Sequence, residues 1–258
     1  MVTARNLTSA QGRLSKSIVR LSSGSRLTDA SDDAAGVAVA SRFDSQVQRT
    51  TAAKNNVTNA LSFTQTQDGY LSKIEKALDR MSELAILSQD ATKTDGDRLL
   101  YNREFTQLGT YVTSGAGKDF NGVPLFSAST LNITTDSEGS TFPMGGVDLS
   151  TSTYTNATAA SIDTVPNAAA ALITVKATID QLSQDRATVG AYQTRLNFTA
   201  DQLMTAAENL TAASSKIQDV DVADETTNLA RSNILVQSGV AMLVQANQMP
   251  QAVLKLLQ

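Results

Sequence analysis

The last 27 residues read SNILVQSGVAMLVQANQMPQAVLKLLQ (residues 232–258), and no charged side chain occurs between Arg231 and Lys255. About half of the intervening residues are apolar, and the polar side chains are only Ser, Gln and Asn. Seven-residue spacing places side chains along one face of a helix. The pattern therefore predicts a terminal amphipathic helix that needs a partner, because such helices are marginal in water when alone. The residues on this row are Leu235, Met242, Met249 and Leu256.

The same seven-residue period runs through the first third of the chain. Leu7, Leu14 and Leu21 follow it, with Ile18 between them. A loop-forming cluster of Gly, Ser, Thr and Asp then interrupts the pattern at 22–33, and Ser31 ahead of two Asp residues is predicted to cap the next helix. That helix is predicted from about residue 34 to 89. Its two apolar rows are Val57, Thr64, Leu71, Leu78 and Ala85, and Ala60, Ile74, Met81 and Ser88.

The middle of the chain differs in composition from both ends. Between Ser127 and Thr155, 13 of 29 residues are Ser or Thr. Asn121-Gly122 is a strong tight-turn signal, and LNITTD and STFPMGGVDLS have the pattern of short strands around turns. The segment is interpreted as a small β region, and a flexible Ser/Thr linker is the alternative. After Pro166 the helical period returns, with Leu196, Leu203, Leu210 and Ile217 on one row.

The order of helix, break, long helix, β middle, long helix, break and helix is roughly mirrored. It predicts a mainly α protein, a long antiparallel helical hairpin or coiled-coil bundle with a small β region at its tip. The expected divisions are 1–30 and 216–258 for the terminal helices, 31–126 and 166–215 for the two halves of a helical rod, and 127–165 for the tip.

Composition excludes several classes of function. The chain has 21 basic and 25 acidic residues with no basic patch, so nucleic acid is not expected as a partner. It contains no His and no Cys, which removes the commonest general base and the commonest metal ligands. We therefore expect no enzyme activity, no metal and no cofactor. No apolar run reaches the length of a membrane span, and the first 20 residues lack the uninterrupted apolar core of a signal peptide, so neither element is expected.

Four segments resemble bacterial flagellins, in the family's order. They are RLSSGSRLTDASDDAAGVAVASRF at 20–43, ALDRMSELAILSQ at 77–89, DFNGVPLF at 119–126 and KIQDVDVADETTNLARSNILVQSGVAMLVQANQMPQAVLKLLQ at 216–258. The resemblance departs from the family in two places. Met1 lies only five residues before Asn6-Leu7, so one to two helical turns of the family's usual start are expected to be missing, and the middle is short, with little or no outer variable domain.

The resemblance implies a subunit that is exported and polymerises into the extracellular flagellar filament for motility. The terminal helices would form a hollow tube, with the uncharged Gln/Ser/Asn face toward its channel. Implied partners are further copies of the chain, an export chaperone, the flagellar export gate, the filament cap and the junction proteins. An animal flagellin receptor is a further implied partner, through Arg80, Glu83 and Leu84 on the long helix. No membrane partner is implied.

The candidate self-assembly residues combine the two terminal rows with their apolar neighbours. Two related functions stay open, a hook–filament junction protein and a secreted coiled-coil translocator. A flagellin carrying a metalloprotease is excluded because it would need His pairs for zinc. The self-assembly candidates are Leu7, Leu14, Ile18, Leu21, Leu235, Met242, Leu243, Met249, Val253, Leu256 and Leu257.

Overall fold

The computed structural model describes the backbone of residues 2–256 and the side chains of residues 2–246 and 248. Long helices dominate these residues, so the prediction of a mainly α fold is confirmed. In chain order the elements are α1 (Val2–Ser23), α2 (Ala34–Ser88), α3 (Asp95–Gly115), β1 (Asp119–Phe120), β2 (Val123–Pro124), β3 (Leu131–Thr134), β4 (Thr141–Met144), α4 (Ser152–Thr158), α5 (Val165–Gln218) and α6 (Val222–Leu256).

These elements form two compact units. The first contains residues 1–48 and 207–258, and the second contains residues 49–206. The five-part division expected from the sequence assigns roles to chain segments and stays a prediction.

The core of the second unit is built on the two predicted rows of α2. Every member of both rows is buried, and the apolar ones are at most 5% exposed. Seven-residue spacing keeps these side chains on one face of α2, and that face packs against α5. The Gln193 side-chain amide of α5 donates to the Thr64 carbonyl oxygen of α2 over 3.1 Å. Arg186, earlier in α5, pairs with Asp68 at 2.9 Å and with Glu75, both later in α2. The two helices therefore run antiparallel.

A polar clamp fixes the turn between α2 and α3. Thr94 and Asp97 cap each other's backbone at the start of α3, in the reciprocal arrangement of a capping box. The buried guanidinium of Arg98 donates to the carbonyl oxygens of Ser88 and Asp90 over 2.8 and 2.9 Å. These oxygens lie at the end of α2, where backbone acceptors lack helical partners, so Arg98 holds the two helices together.

Two β-hairpins pack against the long helices of the second unit. β1 and β2 are joined by the predicted Asn121-Gly122 turn, where φ is 52° and 79°, the left-handed pair that a two-residue hairpin turn requires. β3 pairs with β4 in antiparallel register. Alternation along β4 turns Phe142 and Met144 inward.

The position of the β3–β4 hairpin differs from the prediction of a β tip. Phe142 and Met144 pack with Ala53 and Val57 of α2 and with Leu196 of α5. The hairpin therefore lies back along the helices, far from the α2–α3 turn, because its apolar face is covered there. The sequence reading also missed α4, whose Tyr154 is buried and donates a 2.6 Å hydrogen bond to Asp185.

In the first unit, two loops join the helices and pair with each other. Ser25 and Asp219 form an antiparallel bridge, and the Val220 amide donates to the Gly24 carbonyl oxygen over 3.1 Å. The helix cap predicted at Ser31 lies elsewhere. Asp33 caps α2, because its carboxylate accepts the Gly36 amide at 2.9 Å. The carboxylate of Asp32 instead pairs with Lys16 and Arg20 of α1.

Candidate self-assembly surface

The helices α1 and α6 pack together along an antiparallel seam. Side chains at three- and four-residue spacing turn toward the partner helix, as in a coiled coil. Ala10 and Ser17 of α1 are buried, and so are Glu225 and Ser232 of α6. Half-buried residues complete the seam: Leu7, Leu14 and Leu21 on α1, and Leu229, Val236, Gly239 and Leu243 on α6.

Close approach at Gly239 fixes the spacing of the two helices near their apolar ends. A Cβ atom at Gly239 would stand 3.2 Å from Cδ1 of Leu7. That distance is tighter than ordinary van der Waals contact, so the absence of a side chain lets α1 lie close to α6. Leu7 and Leu243, both predicted at the assembly surface, are therefore partly used within the chain.

The structure divides the eleven candidate residues into three groups. Leu7, Leu14, Leu21 and Leu243 lie half-buried in the seam. Ile18, Leu235 and Met242 lie outside the seam and are 52%, 46% and 63% exposed. The side chains of Met249, Val253 and Leu256, and the whole of Leu257, lie outside the described residues.

Further apolar side chains of α1 and α6 are exposed beside these three. The described part of the two helices exposes nine large apolar residues in all. Five of the nine, Ile234, Leu235, Val240, Met242 and Val244, fall within eleven residues of α6, and clustered exposed apolar side chains of this kind mark an interaction site. The seven-residue rows did not identify the six others, because they follow only one stripe per helix. Those six are Val2, Val19, Val222, Ile234, Val240 and Val244.

A charged cluster closes the other end of the seam. The Ser17 hydroxyl donates to the Glu225 carboxylate, and Arg20 lies 3.8 Å from the same carboxylate and 3.3 Å from that of Asp32. Lys16 donates to Asp32, and this bond, together with Arg20, holds the pKa of Asp32 below its usual range. Polar groups inside an otherwise apolar seam favour one pairing of the helices over shifted ones.

A second predicted site, on α2, is only partly on the surface. The guanidinium of Arg80 lies 2.9 Å from Glu83 and 2.8 Å from Glu104 of α3, and these carboxylates raise the pKa of Arg80. Arg80 and Glu83 are exposed, but Leu84 is fully buried. The prediction of Leu84 as a surface contact is therefore wrong, because Leu84 belongs to the core. The neighbouring surface leucine is Leu87, seven residues after Arg80, which is 41% exposed. Sequence spacing could not identify Glu104, because it belongs to another helix.

The described residues contain no group of three or more carboxylates that could hold a metal ion. Within that same part of the chain, no helix has the length and apolar character needed to cross a bilayer.

Two family models match the helical ends of the chain. The bacterial flagellin N-terminal helical region matches residues 1–130, and the bacterial flagellin C-terminal helical region matches residues 172–257. Together the matched residues contain both the α1–α6 seam and the second predicted site around Arg80 and Glu83. The chain belongs to the flagellin family. Its short middle segment makes it a short-form flagellin, as the sequence predicted.

Relatives align with this flagellin over nearly their whole length. A flagellin of Halalkalibacterium halodurans is 36% identical, covering 94% of this chain and 91% of the relative. The flagellar filament 33 kDa core protein of Treponema phagedenis is 34% identical, covering 100% of this chain and 96% of the relative. A flagellin of Bacillus subtilis is 31% identical, with coverages of 99% and 96%.

Solved structures agree with the fold. The crystal structure of Bacillus cereus flagellin superposes with a TM-score of 0.52 at 25% identity, covering 62% of this flagellin and 94% of that chain. A putative flagellar hook-associated protein from Vibrio parahaemolyticus gives a TM-score of 0.63 at 12% identity, covering 73% and 100%. The second likeness concerns the fold alone.

Proposed function

We propose that this flagellin is a structural subunit that polymerises with copies of itself into a bacterial flagellar filament for motility. The observation that carries the proposal is the set of nine exposed apolar residues on α1 and α6. Relatives named as filament core proteins support the same function. A structural role also agrees with a family whose models describe helical regions rather than a catalytic domain.

The energetics of these helices favour assembly. A pair of helices can cover only the facing stripe of each, and here that stripe already contains the half-buried leucines. Burying a large apolar side chain completely contributes roughly 1.5–3 kcal/mol. Covering the exposed half of nine such side chains would therefore contribute on the order of 7–13 kcal/mol per subunit. This burial free energy is gained only when other copies pack around α1 and α6.

The finer parts of the function follow from the same assignment. We propose that the chain is secreted, with its uncharged polar face toward the channel of a hollow tube. An export chaperone would shield α6 before assembly, and the export gate, filament cap and junction proteins would be further partners. The roles expected for residues 1–30 and 216–258 in an inner tube, and for 31–126 and 166–215 in a helical rod, belong to this proposal.

A receptor contact is a separate part of the proposal. Arg80 and Glu83 are the exposed members of the predicted animal-receptor site, and Glu104 holds Arg80 in place. Support comes from the sequence resemblance and from their exposure. Activation of a receptor-reporter cell line by purified monomer, compared with that of Arg80→Ala, measures this contact directly.

Polymerisation on native filament seeds tests the main proposal, with Met242 as the probe. Met242→Gln keeps a flexible side chain of similar length but adds an amide, and Met242→Leu is the matched apolar control. Because Met242 is 63% exposed, neither change should lower the melting temperature of the monomer. Loss of roughly 1–1.5 kcal/mol of burial in the filament predicts about a 5- to 10-fold higher critical concentration for Met242→Gln.

Electron microscopy and light scattering distinguish the outcomes. Uniform filaments from the unaltered chain and from Met242→Leu, with weakened growth of Met242→Gln, agree with the proposal. A critical concentration that is the same for Gln and Leu would remove Met242 from the interface. Complete failure of the unaltered chain to extend native seeds would contradict the filament function and favour a junction protein or a translocator.

A further inference from the structure

The charges of the first unit are divided unequally between its elements. Helix α1 contains four basic residues and no acidic residue. The loop into α6 and the first turn of that helix carry Asp219, Asp221, Asp224 and Glu225. Basic residues therefore lie on α1 and acidic residues on the loop into α6 and its first turn, and the two groups meet where Arg20 lies 3.8 Å from Glu225. Filaments are built from head-to-tail interfaces, in which each contact joins two different surfaces of the same chain.

A basic pocket lies beside the seam, between α1 and α6. Its volume is about 230 Å³. Its lining has four cationic side chains and one carboxylate, which accepts the Ser17 hydroxyl and lies near Arg20. Lys16 and Arg20 also pair with Asp32, so Arg13 and Arg231 are the two cations left without an ion pair among the described residues. The charged lining residues are Arg13, Lys16, Arg20, Arg231 and Glu225.

The pocket contains donors that the described part of the chain does not satisfy. Nε of Arg20 is buried and has no hydrogen-bond acceptor among the described residues. Arg13 donates only to the Ser9 hydroxyl, over 3.3 Å, and neither Arg13 nor Arg231 has an ion-pair partner within the described residues. A carboxylate that reaches Arg13 and Arg231 would meet guanidinium groups without a charged partner among the described residues, and such charge-assisted hydrogen bonds are the strong ones.

Carboxylates of the right kind are exposed on the same unit. Asp221 is occupied, because it accepts the backbone amides of Ala223 and Asp224 at the start of α6. The side chains of Asp219 and Asp224 are exposed, and no described cation pairs with either. They lie on the junction formed by the Ser25–Asp219 bridge and the first turn of α6.

We propose that the basic pocket between α1 and α6 binds the acidic loop of a second copy of this chain, with Asp219 and Asp224 of one subunit facing Arg13 and Arg231 of the next. This inference rests on the proposed filament function and adds its electrostatic contact. A second copy is the occupant because its acidic loop is complementary in charge to the basic pocket. The apolar residues supply the affinity, while the charged contact selects the axial position at which neighbouring helices meet.

A charge exchange tests the proposal. Arg231→Glu reverses the pocket, and the pair Asp219→Lys and Asp224→Lys reverses the loop. Each is expected to raise the critical concentration for growth on native seeds about 10-fold, since mismatched charges at an interface cost more than 1.4 kcal/mol. The combined variant is expected to return to within about 3-fold of the unaltered chain, because its charges are opposite again.

Two controls keep the test decisive. Arg42→Glu reverses an exposed charge of the same unit outside the pocket and is expected to change growth by less than about 2-fold. Arg231→Gln and Asp224→Asn remove charge without reversing it, which covers the case that a reversal unfolds the helix pair. For these two, raising the salt concentration should weaken growth less than it does for the unaltered chain.

The outcomes separate this inference from the filament function. If the unaltered chain grows and Arg231→Glu changes growth no more than Arg42→Glu does, the basic-pocket contact is overturned and the filament function is unaffected. Weak growth of both reversals without recovery in the combined variant would overturn the pairing of pocket and loop. Failure of the unaltered chain to grow at all would count against the filament function itself.

Discussion

Replacing Gly109 by Ala probes how closely α3 and α4 pack, and Gly69→Ala provides the matched control. Both glycines lie inside long helices, and neither has a positive φ. Around Gly69, apart from its chain neighbours and the backbone of its own helix, no atom lies within 4 Å of the position of an added Cβ. At Gly109, the added Cβ would stand 2.7 Å from the carbonyl oxygen of Thr158 in α4. The same substitution therefore meets open solvent at one site and a neighbouring backbone at the other.

The expected magnitudes follow from two opposing terms. Ala is favoured over Gly inside a helix by about 0.8–1 kcal/mol, and this gain applies at both positions. At Gly109 the helices must separate by roughly half an ångström to restore ordinary contact, and overpacking of this kind costs about 1–3 kcal/mol. Gly69→Ala should therefore stabilise the chain by about 1 kcal/mol. Gly109→Ala should be less stable than Gly69→Ala by about 1–3 kcal/mol.

Thermal unfolding followed by circular dichroism measures the difference. For a domain of 150–250 residues, 1 kcal/mol corresponds to about 2–4 °C in melting temperature. We expect Gly69→Ala to melt a few degrees above the unaltered chain and Gly109→Ala roughly 2–12 °C below Gly69→Ala. Equal rises for the two variants would refute the close α3–α4 contact, because helix propensity alone would then explain both.

Two further predictions concern buried and charged groups. The pKa of Asp32 is lowered in the folded chain. Its stabilising effect is therefore present above the unfolded pKa near 4 and is lost as the pH falls through the lower folded pKa. Urea unfolding between pH 7 and 3 should show a drop in the free energy of unfolding below about pH 4, and Asp32→Asn should reduce that drop. Arg98→Met leaves the carbonyl oxygens of Ser88 and Asp90 without their donor. We therefore expect a loss of about 2–4 kcal/mol in the free energy of unfolding at pH 7. A loss below about 1 kcal/mol would contradict the proposed role of Arg98 in holding α2 and α3 together.

Much of the fold follows from local periodicity. The seven-residue rows of α2 predicted the buried face, from Val57 to Ser88, because a helix repeats its faces with a nearly constant period. Asn121-Gly122 predicted its hairpin turn, because few residue pairs adopt two left-handed conformations in succession. The family resemblance came from such local segments as well. These features depend on neighbours in the chain, and the sequence contains that information.

Tertiary structure decided which partner covers each apolar face. On α6, the row containing Leu235 and Met242 was as regular as the true seam, yet the seam uses Val236 and Leu243 and leaves Leu235 and Met242 exposed. The choice depends on what α1 offers, including the room at Gly239.

Long-range polar partners were decided in the same way. Arg80 is held by Glu104 from another helix, and Asp32 pairs with Lys16 of α1 and leaves the cap of α2 to Asp33. Periodicity shows that a helix face is apolar or charged, but the identity of its neighbour depends on the path of the whole chain. The sequence by itself therefore determined the long helices, the buried face of α2 and the family, whereas only the tertiary structure decided which apolar and charged side chains remain free to meet another subunit.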